Sequence, residues 1–144
     1  MKMMRMAVAT IMASLTLATG TVAQDEDLGE VVAIELNTVK PNEGGCTLTF
    51  MVTNGHPRPI EKAVYETVLF DRAGQVDRLT LFDFGALPAG RSRVRQFSVQ
   101  GIACEDLSRI LINGAHTCEA PDLADTACEA GLILETRTSI GIIG

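Results

Sequence analysis

From residue 31 onward, apolar and polar residues alternate in short β-branched and aromatic runs separated by Gly, Pro and Asn, with no sustained helical period. The pattern predicts seven strands. They are A (about 31–39), B (46–54), C (61–71), C′ (75–84), E (91–102), F (107–118) and G (132–142). Strand B alternates most cleanly: Cys46, Leu48, Phe50 and Val52 share one face, and Thr47, Thr49, Met51 and Thr53 share the other. Asn54-Gly55 and Pro57-Arg58-Pro59 end it, Asp71-Arg72-Ala73-Gly74 turns C into C′, and Leu87-Pro88-Ala89-Gly90 makes the next break. Asn113-Gly114 inside F is a bulge or a bend.

Strands C and C′ depart from simple alternation. Val64, Val68 and Phe70 take one parity while Ala63, Tyr65 and Leu69 take the other, and Leu79/Leu81 and Phe82/Phe84 split likewise. Two apolar faces on one strand mean either full burial or a half-exposed patch that marks a partner site. Regular short strands with intervening turns point to an all-β, seven-stranded immunoglobulin-like β-sandwich with A, B and E in one sheet and C, C′, F and G in the other.

The N-terminus follows a different logic. Lys2 and Arg5 precede an uncharged apolar stretch from Met6 to Ala18, and Thr21 and Ala23 are small residues suited to signal-peptidase cleavage before Gln24. The stretch is shorter than the roughly 20 residues that span a bilayer, so residues 1–23 are expected to be a cleaved signal peptide and not an anchor. No Cys lies near the cut to carry a lipid, and residues 24–30 read as a flexible acidic lead-in to a single domain, 31–144. The expected location is periplasmic or secreted.

All four cysteines fall in the mature part, and an even number in an exported chain reads as two disulfide bonds. With E antiparallel to B, the end of E lies beside the start of B, which brings Cys104 to Cys46. Cys118 ends F and Cys128 precedes G; with F and G as an antiparallel hairpin, those two meet at the other end. Joining Cys46 to Cys118 would bridge opposite ends of strands roughly 25 Å long, beyond the reach of a disulfide.

Charge narrows the partners. Cleavage would leave 10 Lys and Arg against 18 Asp and Glu, a net charge of −8, which argues against nucleic acid or an anionic membrane surface. No cofactor is implied, and no nucleophile elbow, zinc-protease helix or phosphate loop occurs, so no catalytic residue is expected and the chain reads as a non-enzyme. His56, His116 and Met51 are the ligand types of a copper site. Arg91, Arg93 and Arg95 share a parity on strand E and make a positive stripe suited to an anion or an acidic partner.

Several of these strings together resemble a known group. Ile34-Glu35-Leu36-Asn37, Gly44-Gly45-Cys46, Leu69-Phe70-Asp71-x-x-Gly74, Leu87-Pro88-x-Gly90-Arg91, Gly101-Ile102-Ala103-Cys104 and Arg109-Ile110-Leu111-Ile112-Asn113 resemble a group of small exported proteins of alphaproteobacteria. That resemblance covers most of the mature chain and implies a periplasmic location but no activity. More loosely, the turn rhythm is similar to immunoglobulin-like modules of the FxLYD, late-embryogenesis-abundant and CARDB types, which specify fold more than function. The expected role is a non-enzymatic periplasmic binding or scaffold module that contacts another envelope protein through a sheet edge or the C–C′ face. The alternative is a small-ligand or copper carrier using the histidines or arginines.

Overall fold

The structure, a computed structural model, describes residues 28–144, so the expected signal peptide lies outside the described residues. Strands β1 (Val32–Asn42), β2 (Gly45–Asn54), β3 (Ile60–Asp71), β4 (Val76–Leu87), β5 (Ser92–Gln100) and β6 (Leu107–Glu119) correspond to the predicted A, B, C, C′, E and F. Two short strands follow, β7 (Ile133–Thr136) and β8 (Gly141–Ile143). One sheet has the order β5-β2-β1-β7 and the other β4-β3-β6-β8, and they pack as a sandwich.

Pro41 does not end β1, which continues to Asn42. Lacking an N–H, proline is tolerated where a strand has a neighbour on one side only. Here Pro41 pairs with Cys46 of β2, while β7 reaches no further along β1 than Leu36.

The interior is built by both sheets. Cys46, Leu48, Phe50 and Val52 of β2 are all fully buried, which bears out the parity read from the sequence. Phe50 and Phe97 from one sheet meet Phe82 and Phe84 from the other, and Tyr65 meets Phe84 edge-on. Phe82 stacks on Phe97 at 4.2 Å, and Phe50 meets the Phe84 ring edge-on at 5.6 Å. Each such pair contributes about 0.5–1.5 kcal/mol beyond the area it buries.

Both expected disulfides form. Cys46 is joined to Cys104 with the Cα atoms 4.9 Å apart, and Cys118 to Cys128 at 5.9 Å. The first is set by the antiparallel pairing of β2 with β5, in which Cys46 lies opposite Val99. Gly45 opens β2 at this pairing because a Cβ there would lie 1.9 Å from the Val99 carbonyl oxygen.

The expected strand G and its antiparallel hairpin with F do not form, and the sandwich has eight strands instead of seven. β7 pairs in parallel with β1, and β8 pairs in parallel with β6. After β6 the chain does not reverse tightly. It turns repeatedly, with the N–H groups of Leu123, Ala127 and Ala130 donating to the carbonyls of Ala120, Ala124 and Thr126. These turns carry it across the end of the sandwich to β1. Gly131, at φ +66°, makes the last bend, where a Cβ would come within 2.9 Å of Val31.

β7 then ends because Thr136 and Thr138 turn their hydroxyls onto the backbone. The Thr138 N–H donates to Thr136 Oγ1, the Ile140 N–H donates to Thr138 Oγ1, and Thr136 Oγ1 donates to the Ile140 carbonyl. Between the two strands Arg137 is pinned to β1. Its N–H donates to the Leu36 carbonyl at 3.0 Å and its guanidinium to Glu35 at 3.0 Å. The Asn37 amide, which donates to the same carboxylate, and then Arg137 hold the Glu35 pKa below its ordinary value against the opposing effect of burial.

Candidate binding face and flank cavity

The two outer faces of the sandwich differ in chemistry. On the β5-β2-β1 face the hydroxyl and amide side chains bond to one another. Thr53 and Ser92 share a hydrogen bond at 2.7 Å, Gln96 donates to Thr49 at 3.0 Å, and Asn42 donates to Thr47 and Ser98.

On the outer face of the second sheet the register aligns an apolar row across all four strands. Leu79 of β4 lies opposite Val68 of β3, Val68 opposite Leu111 of β6, and Leu111 opposite Ile143 of β8. The next row sets Val76 opposite Phe70 and Phe70 opposite Arg109, whose guanidinium lies 4.9 Å from the Phe70 ring centre. Val76, Leu79, Leu81 and Ile143 are all more than two-fifths exposed, at 55%, 59%, 49% and 42%.

The two readings of the C–C′ faces therefore both apply, to different strands. β3 is central, and its outward Val64 and Val68 are covered by their neighbours. β4 is an edge strand, and its outward leucines are left in solvent.

Of the arginine stripe, Arg93 and Arg95 share a parity with Phe97 and Val99, so their face is the interior-facing one at the open end of β5. Arg95 reaches across to the other sheet, donating to the carbonyls of Phe84 and Ala86 on β4 at 2.7 and 3.3 Å. Arg78 of β4 reaches the opposite way, donating to the Gln100 carbonyl of β5 at 2.7 Å. The two edge strands on this flank thus occupy each other's carbonyls through arginines, a device that blunts edge-to-edge pairing. Arg93 donates to the Ser92 carbonyl, and Arg91 is exposed just before the strand.

The copper-type residues are placed as follows. His56 is buried in the turn after β2, where its Nε2 donates to the Ala127 carbonyl at 2.8 Å and its backbone N–H to Asn54 Oδ1 at 2.9 Å. His116 is exposed on β6, and Met51 lies on the outer face of the other sheet. Among the described residues no group of three or more His, Cys, Asp or Glu side chains is placed to hold a metal ion. Nor is any helix among them long and apolar enough to cross a membrane.

No known protein family matches the chain, and no curated protein matches its sequence. Among solved structures it is similar to the trimeric lipoprotein SadB of Salmonella enterica, at 15% identity and a TM-score of 0.44. The match covers 49% of this chain and 40% of that one.

A cavity of about 390 Å³ opens on the flank between the sheets, beside the start of β7. Tyr65, Ile112, Asn113, Glu129, Leu132 and Leu134 line it. It exists because β7 and β8 are too short to close this flank. Asn113-Gly114, expected to be a bulge or a bend, is a bulge and shapes its rim: Thr67 pairs with Ile112 and Glu66 with Gly114, leaving Asn113 as the extra residue. Beside it the Ala115 N–H donates to Glu129 Oε2 at 3.0 Å. Tyr65, fully buried, donates its hydroxyl to the Cys128 carbonyl at 2.6 Å, and burial, then the Glu129 charge, raise its pKa. Sequence reading missed Leu111, Ile143 and this cavity, because each depends on where the split last strand lands.

Proposed function

We propose that the chain is a non-enzymatic binding module of the periplasm that grips another envelope protein with the outer face of the β4-β3-β6-β8 sheet. The observation that carries this reading is the apolar row Leu79, Val68, Leu111 and Ile143, aligned across the whole sheet and solvent-exposed at both ends. Large apolar side chains exposed at both edges of one sheet face, with an apolar floor between them, are a docking feature on a small acidic domain. The opposite face exposes a single large apolar side chain, Val94, among polar side chains that are already bonded to one another. The two disulfides and the resemblance to exported proteins support the periplasmic assignment.

Three strands about 40 Å long and the three-residue β8, about 4.8 Å apart, present roughly 650 Å² of projected face, close to the roughly 800 Å² per partner of a standard interface. Covering the exposed part of each large side chain contributes about 1 kcal/mol before the cost of association, so the contact relies on the whole row.

The test is site-specific photocrosslinking in living cells, with the crosslinking residue at Leu79 or, on the opposite face, at the equally exposed Val94. A discrete crosslinked product is expected from Leu79 and not from Val94, and Leu111→Glu should abolish it. Equal products from both faces, or none from Leu79, would refute the assignment.

A further inference from the structure

The flank cavity has a chemistry of its own that the docking face does not use. Its walls are the apolar side chains of Ile112, Leu132 and Leu134, and its rim carries the Glu129 carboxylate. One oxygen of that carboxylate is held by the Ala115 N–H, which fixes the group in place while the rest of it stays exposed. Asn113 stands beside it with its amide N–H donated to Glu66, which leaves its carbonyl oxygen as an acceptor. Tyr65 offers no free donor, since its hydroxyl is committed to Cys128. No arginine or lysine lines the cavity. The site is therefore an apolar slot with acceptors at its mouth, within the size range of small-molecule sites, on a chain whose net negative charge draws cations toward it.

We propose that this cavity binds a small primary ammonium ion bearing a short apolar tail, with the nitrogen at Glu129 and Asn113 and the tail against Ile112, Leu132 and Leu134. An ammonium group supplies three donors and no acceptor, which complements a carboxylate and an amide oxygen. A carboxylate ligand would meet Glu129 as a like charge. A fully polar ligand would leave the leucine walls wet.

Titration of the oxidised protein with hexylammonium, hexanol and hexanoate, followed by amide chemical shifts, tests this directly. Hexylammonium should give saturable shifts centred on Ile112, Gly114, Ala115, Leu132 and Leu134, with a dissociation constant of roughly millimolar, the range open to about seven heavy atoms. Hexanol should bind about tenfold more weakly and hexanoate more weakly still. Glu129→Gln, which keeps an oxygen for the Ala115 N–H, should bring hexylammonium down to the level of hexanol, while Leu134→Phe should weaken both by filling the slot. Dispersed spectra and intact disulfides establish that each variant is folded. Hexanoate binding as well as hexylammonium, shifts lying outside the cavity, no saturable shifts, or unchanged affinity in folded Glu129→Gln would each overturn the proposal.

Discussion

Replacing Asn54 with alanine should destabilise the domain more than any other single change in a turn. Asn54 is fully buried, and all of its polar atoms have work. Its amide nitrogen donates to the Arg58 carbonyl at 3.0 Å and to the Leu87 carbonyl at 2.9 Å, and its oxygen accepts the His56 N–H at 2.9 Å. Its own carbonyl accepts the Gly90 N–H, so it ties the turn after β2 to the end of β4. Each bond contributes about 1 kcal/mol net, and a buried group left without a partner costs about 1–3 kcal/mol. Water can reach the Arg58 carbonyl, whereas the Leu87 carbonyl and the His56 N–H would stay dry. The expected loss is about 3 kcal/mol, roughly 12 °C in Tm for a domain of this size. The chain has no Trp, so far-UV circular dichroism during urea unfolding is the suitable readout. Asn54→Asp keeps the acceptor but sets a carboxylate oxygen against two carbonyls, and should be worse than alanine. A loss below about 1 kcal/mol for alanine at unchanged m-value, or an aspartate variant as stable as the parent, would refute the assignment of both donors.

Three further outcomes are expected. Glu35→Gln should be less stable than the parent at neutral pH, with the gap closing in acid. The folded pKa of Glu35 is lowered, so its contribution is present above the ordinary value of 4.5 and lost as pH falls through the folded value; urea midpoints from pH 7 to pH 3 measure this. Replacing Cys46 and Cys104 together should cost about 4 kcal/mol and replacing Cys118 and Cys128 about 3 kcal/mol in the chain-entropy account of loops with separations of 58 and 10, again by urea unfolding of the oxidised proteins. Arg95→Leu should cost about 1–2 kcal/mol and raise self-association through the uncovered β4 carbonyls, which sedimentation velocity at increasing concentration would detect.

What the sequence disclosed depended on how local the cause was. β2 was legible because it is central in its sheet with a polar outer face, so burial writes a period of two directly into Cys46, Leu48, Phe50 and Val52. β3 was ambiguous because the outward Val64 and Val68 are covered by side chains of neighbouring strands, a fact no window on β3 contains. The last strand was misread because Ile133–Ile143 looks like one apolar run interrupted by a polar cluster. The break at Thr136-Arg137-Thr138 was visible as hydroxyl chemistry, but its consequence, a change of sheet, depends on Glu35 and Leu36 a hundred residues earlier. His56 belongs to the same class: nothing near it in sequence announces that Ala127, 71 residues away, receives its ring N–H. The disulfide pairing survived the error in strand G because it required only that the segment after Cys118 return to the same end of the sandwich. The crossing turns achieve this as well as a hairpin would.

The same split that defeated the sequence reading separates the two candidate sites. β7 follows β1 and covers the side of the first sheet, while β8 follows β6 and adds Ile143 to the outer row of the second. Without β8 that row would end at Leu111, three strands wide. Without the short β7 the flank would have no Leu134 wall and no cavity. The docking face and the slot therefore share the crossing at Arg137 but no side chain. A change at Glu129 or Leu134 should leave contacts at Leu79 intact, and a change at Leu79 or Leu81 should leave the slot intact. Loosening the crossing itself, by removing the Glu35–Arg137 contact, should weaken both sites together, because each takes one wall from a strand that the contact holds in place.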